Sequence, residues 1–242
     1  MIYTYDGTFD GLLTCIHQHY YLEHASEIME EIHYQPTLFE EVKFVETDLI
    51  KAKRVYDAIM KQFSEETYWD IYRTYLSNNR MKDTYILRYL IMAFKMGQKI
   101  ELLHAHHDTL PVRRISRAVG FEKHRFLGLL RFAEIDHVLY AAFEPDHNIL
   151  ILLGEHFADR LANERFVIHD MKRVHAIFCD HWPWIISDFK MEQPITYSDN
   201  ELAFQALWKG YFEAIAIESR QNLKLQQSFV PLKYRKHLTE FH

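Results

Sequence analysis

Phe126-Leu-Gly-Leu-Leu-Arg-Phe-Ala-Glu-Ile-Asp-His-Val-Leu-Tyr-Ala-Ala-Phe143 contains two runs rich in strand formers, 126–135 and 138–143, separated by Asp136-His137. A two-residue connection between such runs has the length of a hairpin turn. Downstream, 148–161 reads as a helix, and 166–169 and 173–179 read as two more strands. The order strand, strand, helix, strand, strand predicts an α+β fold with a central antiparallel sheet of about four strands and helices gathered around it. Ser198 with Glu201 three residues later forms a capping box for a long C-terminal helix running to about residue 219.

Toward the N-terminus the chain is helix-rich. Residues 2–5 read as a short strand, Asp6-Gly7 as a turn, and 9–21 as a helix with Leu12, Leu13, Ile16 and Tyr20 at helical spacing. A second helix is predicted over about 23–31, and 42–45 as a strand closing against the first. Asp48 and Ser64 are the expected N-caps of the next two helices, 81–96 is another, and Gly97 is its C-cap. Pro111 is placed at a first helical position, ahead of a segment with Ile115 and Val119 on one side and arginines on the other. With seven glycines and six prolines no flexible linker stands out, so 1–242 is predicted as a single domain. A division into a mostly helical 1–110 and an α+β 111–242 is the alternative.

The chain has 242 residues, 48% of them hydrophobic and 15% aromatic, which is ample material for a core. Cys15 and Cys179 match no metal or redox spacing and are expected to be reduced thiols. The N-terminal residues carry no basic region followed by an apolar stretch, and no run is apolar enough to span a bilayer. A cytoplasmic protein without membrane contact is therefore expected. The net charge of -6 argues against a simple non-specific nucleic-acid binder, but its distribution is uneven. Residues 1–48 hold ten acids against Lys43 alone. Residues 113–131 hold Arg113, Arg114, Arg117, Lys123, Arg125 and Arg131 against Glu122 alone, and 220–236 hold Arg220, Lys224, Lys233, Arg235 and Lys236 with no acid.

These two basic segments interleave with apolar and aromatic residues, a mixture in which arginine forks suit phosphate oxygens and rings suit exposed bases. The expected nucleic-acid-binding residues are Arg113, Arg114, Arg117, Lys123, His124, Arg125 and Arg131 in the first segment, with Lys224, Lys233, Tyr234, Arg235 and Lys236 in the second. The bland alternative is a pair of solvated faces, or faces packed near the acidic N-terminal part. Sixteen histidines include the dense group His104-Ala-His106-His107-Asp108, whose spacing matches no zinc pattern, and no metal is expected. Glu144 and Asp146, followed by His147, are the best-placed carboxylates for acid–base or metal-assisted chemistry, with Glu155, His156 and Asp159 beyond them. The same Glu-Pro-Asp-His-Asn run is also ordinary turn chemistry, in which Asp146 or Asn148 caps the following helix. No nucleotide-binding glycine loop or serine-nucleophile elbow occurs, so no cofactor is implied.

Several motifs occur in order: Tyr5-Asp-Gly-Thr-Phe-Asp-Gly-Leu-Leu, Glu122-Lys-His-Arg-Phe-Leu-Gly-Leu-Leu-Arg-Phe, Leu139-Tyr-Ala-Ala-Phe-Glu-Pro-Asp-His-Asn-Ile-Leu, His156-Phe-Ala-Asp-Arg, and Lys224-Leu-Gln with Pro231-Leu-Lys-Tyr-Arg-Lys-His-Leu-Thr-Glu. Together they resemble a bacterial family associated with DNA repair or DNA metabolism. The resemblance implies a gene neighbour encoding a radical-SAM protein assigned to DNA modification, and a related domain fused to a uracil-DNA glycosylase. It supplies no catalytic residues. The sequence departs from the family at Arg220-Gln-Asn-Leu-Lys, where Arg-Asn-Pro is usual, and at Tyr234-Arg235, where Tyr-Trp is usual. Three readings follow. The first is an accessory protein that binds DNA, a partner enzyme, or both; the second is a DNA-directed hydrolase or glycosylase-like enzyme using the Glu144/Asp146 region; the third is an interaction scaffold that never touches DNA.

Overall fold

The N-terminal strand β1 (Ile2–Tyr5) is buried at all four positions and lies between two parallel neighbours, β2 (Glu27–Glu30) and β3 (Val42–Phe44). The computed structural model describes residues 1–36, 40–191 and 194–242, and the chain divides into two compact units, Met1–Gly120 and Phe121–His242. In the first unit, α1 (Phe9–Tyr21) carries the chain from β1 to its parallel partner β2, as parallel pairing requires. The helix predicted over 23–31 is not formed; those residues contain β2 instead. Thr84 decides this, since its hydroxyl accepts from the Ile28 N–H at 3.1 Å and donates to the Ile28 carbonyl at 3.0 Å, fixing an extended backbone that buries Ile28. The 42–45 strand is present, and Val45 adds one more backbone bond to Thr4 at 2.8 Å.

The helices α2 (Leu49–Gln62), α3 (Glu65–Tyr75) and α4 (Lys82–Met96) complete the first unit. Asp48 caps α2 by accepting from Ile50 and Lys51, and Ser64 caps α3 by accepting from Thr67, both as the sequence predicts. Gly97 ends α4 at φ +59, a left-handed conformation that glycine adopts without steric cost. Beneath the apolar core formed by Tyr3, Tyr5, Leu12, Leu13, Ile16 and their neighbours lies one buried acid, Asp83, which accepts a 3.0 Å bond from the Tyr5 hydroxyl.

The helix α5 (Leu110–Leu129) starts one residue before Pro111 and ends well past the expected helix–strand change. Residues 126–129 are therefore helical, not extended. Glu122, Phe126 and Leu130 recur every four residues and are all buried, and the Phe126 ring packs on Phe143 and Tyr234 with centroids 5.0 and 4.8 Å away. That stripe outweighs the strand propensity of the same residues. Strand β4 (Ala133–Ile135) pairs with β5 (Val138–Phe143) through Asp136 and His137, at φ 48 and 64, the hairpin connection anticipated from sequence.

The sheet of the second unit has five strands, in the order β4, β5, β6 (Arg165–Asp170), β7 (His175–Asp180) and β8 (Trp184–Asp188). It is mixed and not purely antiparallel, because α6 (Leu150–Arg160) crosses between β5 and β6 and returns the chain parallel. The cap of α6 is Ile149 and uses no side chain, so neither Asp146 nor Asn148 serves there. Ser198 caps α7 (Asp199–Ala214) by accepting from Glu201, whereas the Glu201 carboxylate turns to Glu134 and Gln205, leaving half of the capping box. The long C-terminal helix is not observed: α7 spans 16 residues and stops at Ala214. Its last turn tightens when Ala216 N–H bonds Glu213, three residues back, and the chain continues through α8 (Leu223–Phe229) and the short 3₁₀ turns Leu232–His237 and Thr239–Phe241. Among the described residues no helix is long and apolar enough to cross a membrane.

Two outcomes are expected from this packing. A Cβ at Gly154 of α6 would lie 2.7 Å from the Trp184 ring, so Gly154→Ala should cost the second unit about 1–3 kcal/mol in urea unfolding, although alanine is the better helix former. Burial pushes the Asp83 carboxyl up to about 7 against the opposing influence of Lys82. Since an unfolded Asp ionises near about 4, Asp83 contributes stability that is complete below that pH and is lost as pH rises to about 7. Asp83→Asn should therefore flatten this dependence and leave the variant about 1–4 kcal/mol more stable than the parent above pH 7. Unfolding curves at acid and alkaline pH with equal parent–variant differences would refute it.

Candidate nucleic-acid interface

In the first unit, α3 presents Glu66, Asp70 and Arg73 at helical spacing toward Arg113, Arg114, Ser116 and Arg117 of α5. Two hydroxyls hold these helices in register. Ser116 donates to Asp70 Oδ1 at 2.6 Å, and Thr74 donates to the Val112 carbonyl at 3.1 Å. The pocket they enclose has a volume of about 550 Å³, with His104 at its margin. Burial raises the Asp70 carboxyl, opposed by the Ser116 hydrogen bond and by Arg113.

The three predicted arginines have different roles. Arg113 is fixed internally: Nη2 donates to the Glu101 carbonyl and Nη1 meets His104 Nδ1, each at 3.0 Å, and its buried Nε has no partner among the described residues. Arg73 lies over the Trp69 ring at 5.5 Å. Arg114 and Arg117 are exposed and meet no acid among the described residues. Nearby in sequence, His106, His107 and Asp108 bring potential ligand atoms within 4.8 Å of one another. His106 Nδ1 already accepts the Asp108 N–H at 3.2 Å, so the group closes a turn.

In the second unit the Glu122 carboxylate is buried and accepts from the backbone N–H groups of Asp146 and His147, both at 2.8 Å, and from the Tyr234 hydroxyl. Arg173 grips the same turn from the other side. It donates to the carbonyls of Pro145 and Asp146 while its Nη1 meets the buried Asp170 at 2.8 Å. These bonds hold the 144–147 turn against the C-terminal segment. Lys233 then pairs with Asp146, and Lys236 and His237 both pair with Glu144. The Lys236 hydrogen bond holds the Glu144 carboxyl low; burial opposes ionisation of Asp146, yet Lys233 still keeps it below the ordinary carboxylate range. The two carboxylates singled out for catalysis are thus ion-pair partners of the C-terminal segment.

Residues 121–131 and the C-terminal segment meet, as Arg125 donates to the Ser228 carbonyl at 3.4 Å and Arg131 makes a two-pronged contact with Glu240 at 2.7 and 3.1 Å. The counter-charge comes from Glu144, Asp146 and Glu240 of this unit. Arg131 also lies 5.4 Å from the Trp208 ring, and Arg235 donates to Val230 and Gln226 while stacking 4.3 Å from Phe241. Tyr234 is buried against Phe126 and does not offer a stacking face. His124 and Lys224 are exposed, and Lys123 is half-buried; none meets an acid among the described residues. Of the residues predicted from sequence, Arg125, Arg131, Lys233, Tyr234, Arg235 and Lys236 are bound within the unit. Glu122 escaped the sequence reading, although a lone carboxylate on an apolar helical stripe was its signal.

A family model described as a domain of unknown function, DUF4130, matches residues 80–240. No curated protein and no solved structure matches the chain. The matched span runs from the start of α4 nearly to the C-terminus, more than half of the chain, and the chain therefore belongs to the DUF4130 family.

Proposed function

We propose that the chain is a nucleic-acid-binding accessory protein of DNA repair or DNA metabolism whose arginine pocket holds backbone phosphates. The observation that carries this reading is the pairing pattern: Arg114 and Arg117 stand exposed beside a pocket lined by four arginines, with no acid satisfying them among the described residues. Guanidinium groups in that state gain most from phosphate oxygens, which accept two parallel bonds from one fork. The acidic overall balance limits non-specific attraction at a distance, so contact depends on this local site. The partner enzyme in this reading is the radical-SAM protein implied by the sequence resemblance. The hydrolase reading is less favoured because Glu144 and Asp146 are already neutralised by Lys236 and Lys233.

The test is a salt titration of binding to single- and double-stranded oligonucleotides. Arg114→Gln with Arg117→Gln should weaken binding and reduce the slope of log affinity against log salt by about 1.4–1.8, with thermal stability unchanged. An unchanged slope, or no binding by the parent, would refute the reading and leave the interaction scaffold. Arg131→Gln should behave differently. It strips Glu240 of its partner and is expected to destabilise the second unit by about 1–3 kcal/mol in urea unfolding while leaving the salt slope intact.

A further inference from the structure

In the second unit, alternation along β5 and β6 puts Leu139, Ala141, Phe143, Phe166 and Ile168 on one sheet face, the face whose Trp184 packs on α6. Tyr140, Ala142 and His169 belong to the opposite face. There a pocket of about 450 Å³ opens, lined by Tyr140 and Ala142 below, by Tyr197 and Lys209 from the α7 region, and by Lys236 and His237 of the C-terminal turns. No acidic side chain lines it among the described residues.

Its polar groups are held in place from behind. The Tyr140 hydroxyl lies 2.8 Å from His169 Nδ1, and the buried His169 Nε2 has no partner among the described residues. Burial lowers the His169 pKa against the opposing influence of the Phe189 backbone and Asp170. If Nδ1 accepts from Tyr140, the hydroxyl oxygen retains an acceptor site; if Nδ1 donates, the hydroxyl proton is free. Either tautomer leaves Tyr140 one hydrogen-bonding position for an occupant of the pocket. Gln205 has its amide nitrogen tied to Glu201 at 2.8 Å, leaving its carbonyl oxygen available. Arg131 is matched by Glu240, and Lys236 and His237 share Glu144, but Lys209 meets no acid among the described residues. One cation is left over.

We propose that this pocket binds a phosphorylated nucleoside, either free or as the terminal nucleotide of a strand. The base lies against the Tyr197 ring, Gln205 and Tyr140 bond its edge, and the phosphate meets Lys209. The volume falls within the range of about 300–1,000 Å³ typical of small-ligand sites, and an aromatic face beside an unmatched cation suits a planar ring that carries an anion. The site shares no residue with the arginine pocket of the first unit, so the two readings stand or fall separately.

Calorimetric titration of the full chain with deoxyadenosine monophosphate, deoxyadenosine and inorganic phosphate tests the proposal. The monophosphate should bind at least about tenfold more tightly than either fragment, and Lys209→Gln or Tyr197→Leu should each weaken it by about tenfold. Circular dichroism melts keep a folding defect in Tyr197→Leu distinguishable, since Lys209→Gln removes only a side chain without an internal partner. Arg114→Gln with Arg117→Gln should leave monophosphate affinity unchanged, whatever it does to oligonucleotides. Competition by a 5′-phosphorylated oligonucleotide but not its 5′-hydroxyl form would identify a strand end as the source, and failure of both to compete would identify a free nucleotide. Absence of monophosphate binding, equal affinity for inorganic phosphate alone, or full affinity in Lys209→Gln would overturn the proposal.

Discussion

The second unit depends on where one carboxylate puts its lone pairs. Glu122 is buried on the apolar stripe of α5, where an ionised side chain is tolerated only if hydrogen bonds replace the water it has lost. Three donors do so, two from the backbone of the 144–147 turn and one from Tyr234. A helix, the end of a central strand and the C-terminal segment are thereby joined at a single group. Asp170 repeats the device nearby, accepting from the Lys172 and Arg173 N–H groups while it steadies the Arg173 guanidinium. The outer ion pairs of Lys233, Lys236 and His237 can form because these buried bonds have already brought their backbones together.

That arrangement changes the meaning of the basic C-terminal segment. Positive charge spread over a sequence suggests an external polyanion, yet Lys233 and Lys236 pair with acids of the same unit and Arg235 is held by Val230, Gln226 and Phe241. Burial weakens solvent screening for Arg131 and Glu240, while Trp208 adds a ring face and an indole N–H donated to Glu240 at 3.1 Å. What is left for a ligand is smaller and more localised than the charge count suggests. It comprises the exposed arginines of the first unit, Lys209, and the few basic groups without an acid partner.

Most features that sequence reasoning located share one property: their causes lie within a few residues. Asp48, Ser64 and Ser198 bond N–H groups two or three positions ahead, Gly97 relieves its own backbone, and the Asp136-His137 turn is set by its length. The pairing of 42–45 with the first strand was anticipated, but other elements decided at long range were misread. Strand β2 is extended because of Thr84, 56 positions from Ile28, and α5 stays helical past Phe126 because of Phe143 and Tyr234. The parallel step from β5 to β6 was legible in principle, since a helix between two strands brings the chain back in the same direction. In the candidate interface, residue types were legible but their pairing was not, because Arg131 and Glu240 stand 109 positions apart and Lys236 and Glu144 stand 92 apart.

Glu122 contacts the 144–147 turn through main-chain N–H groups, and this sets what the family can vary there. The carboxylate recognises the main chain at 146 and 147 and not their side chains, while the Asp146 side chain pairs separately with Lys233. Proline is excluded at both positions, because it has no N–H to donate. Pro145, one place earlier, meets no such restriction, since only its carbonyl is engaged, by Arg173. The junction therefore closes two adjacent sites to proline, a constraint written in the backbone and separate from the side-chain pairing of Asp146 with Lys233.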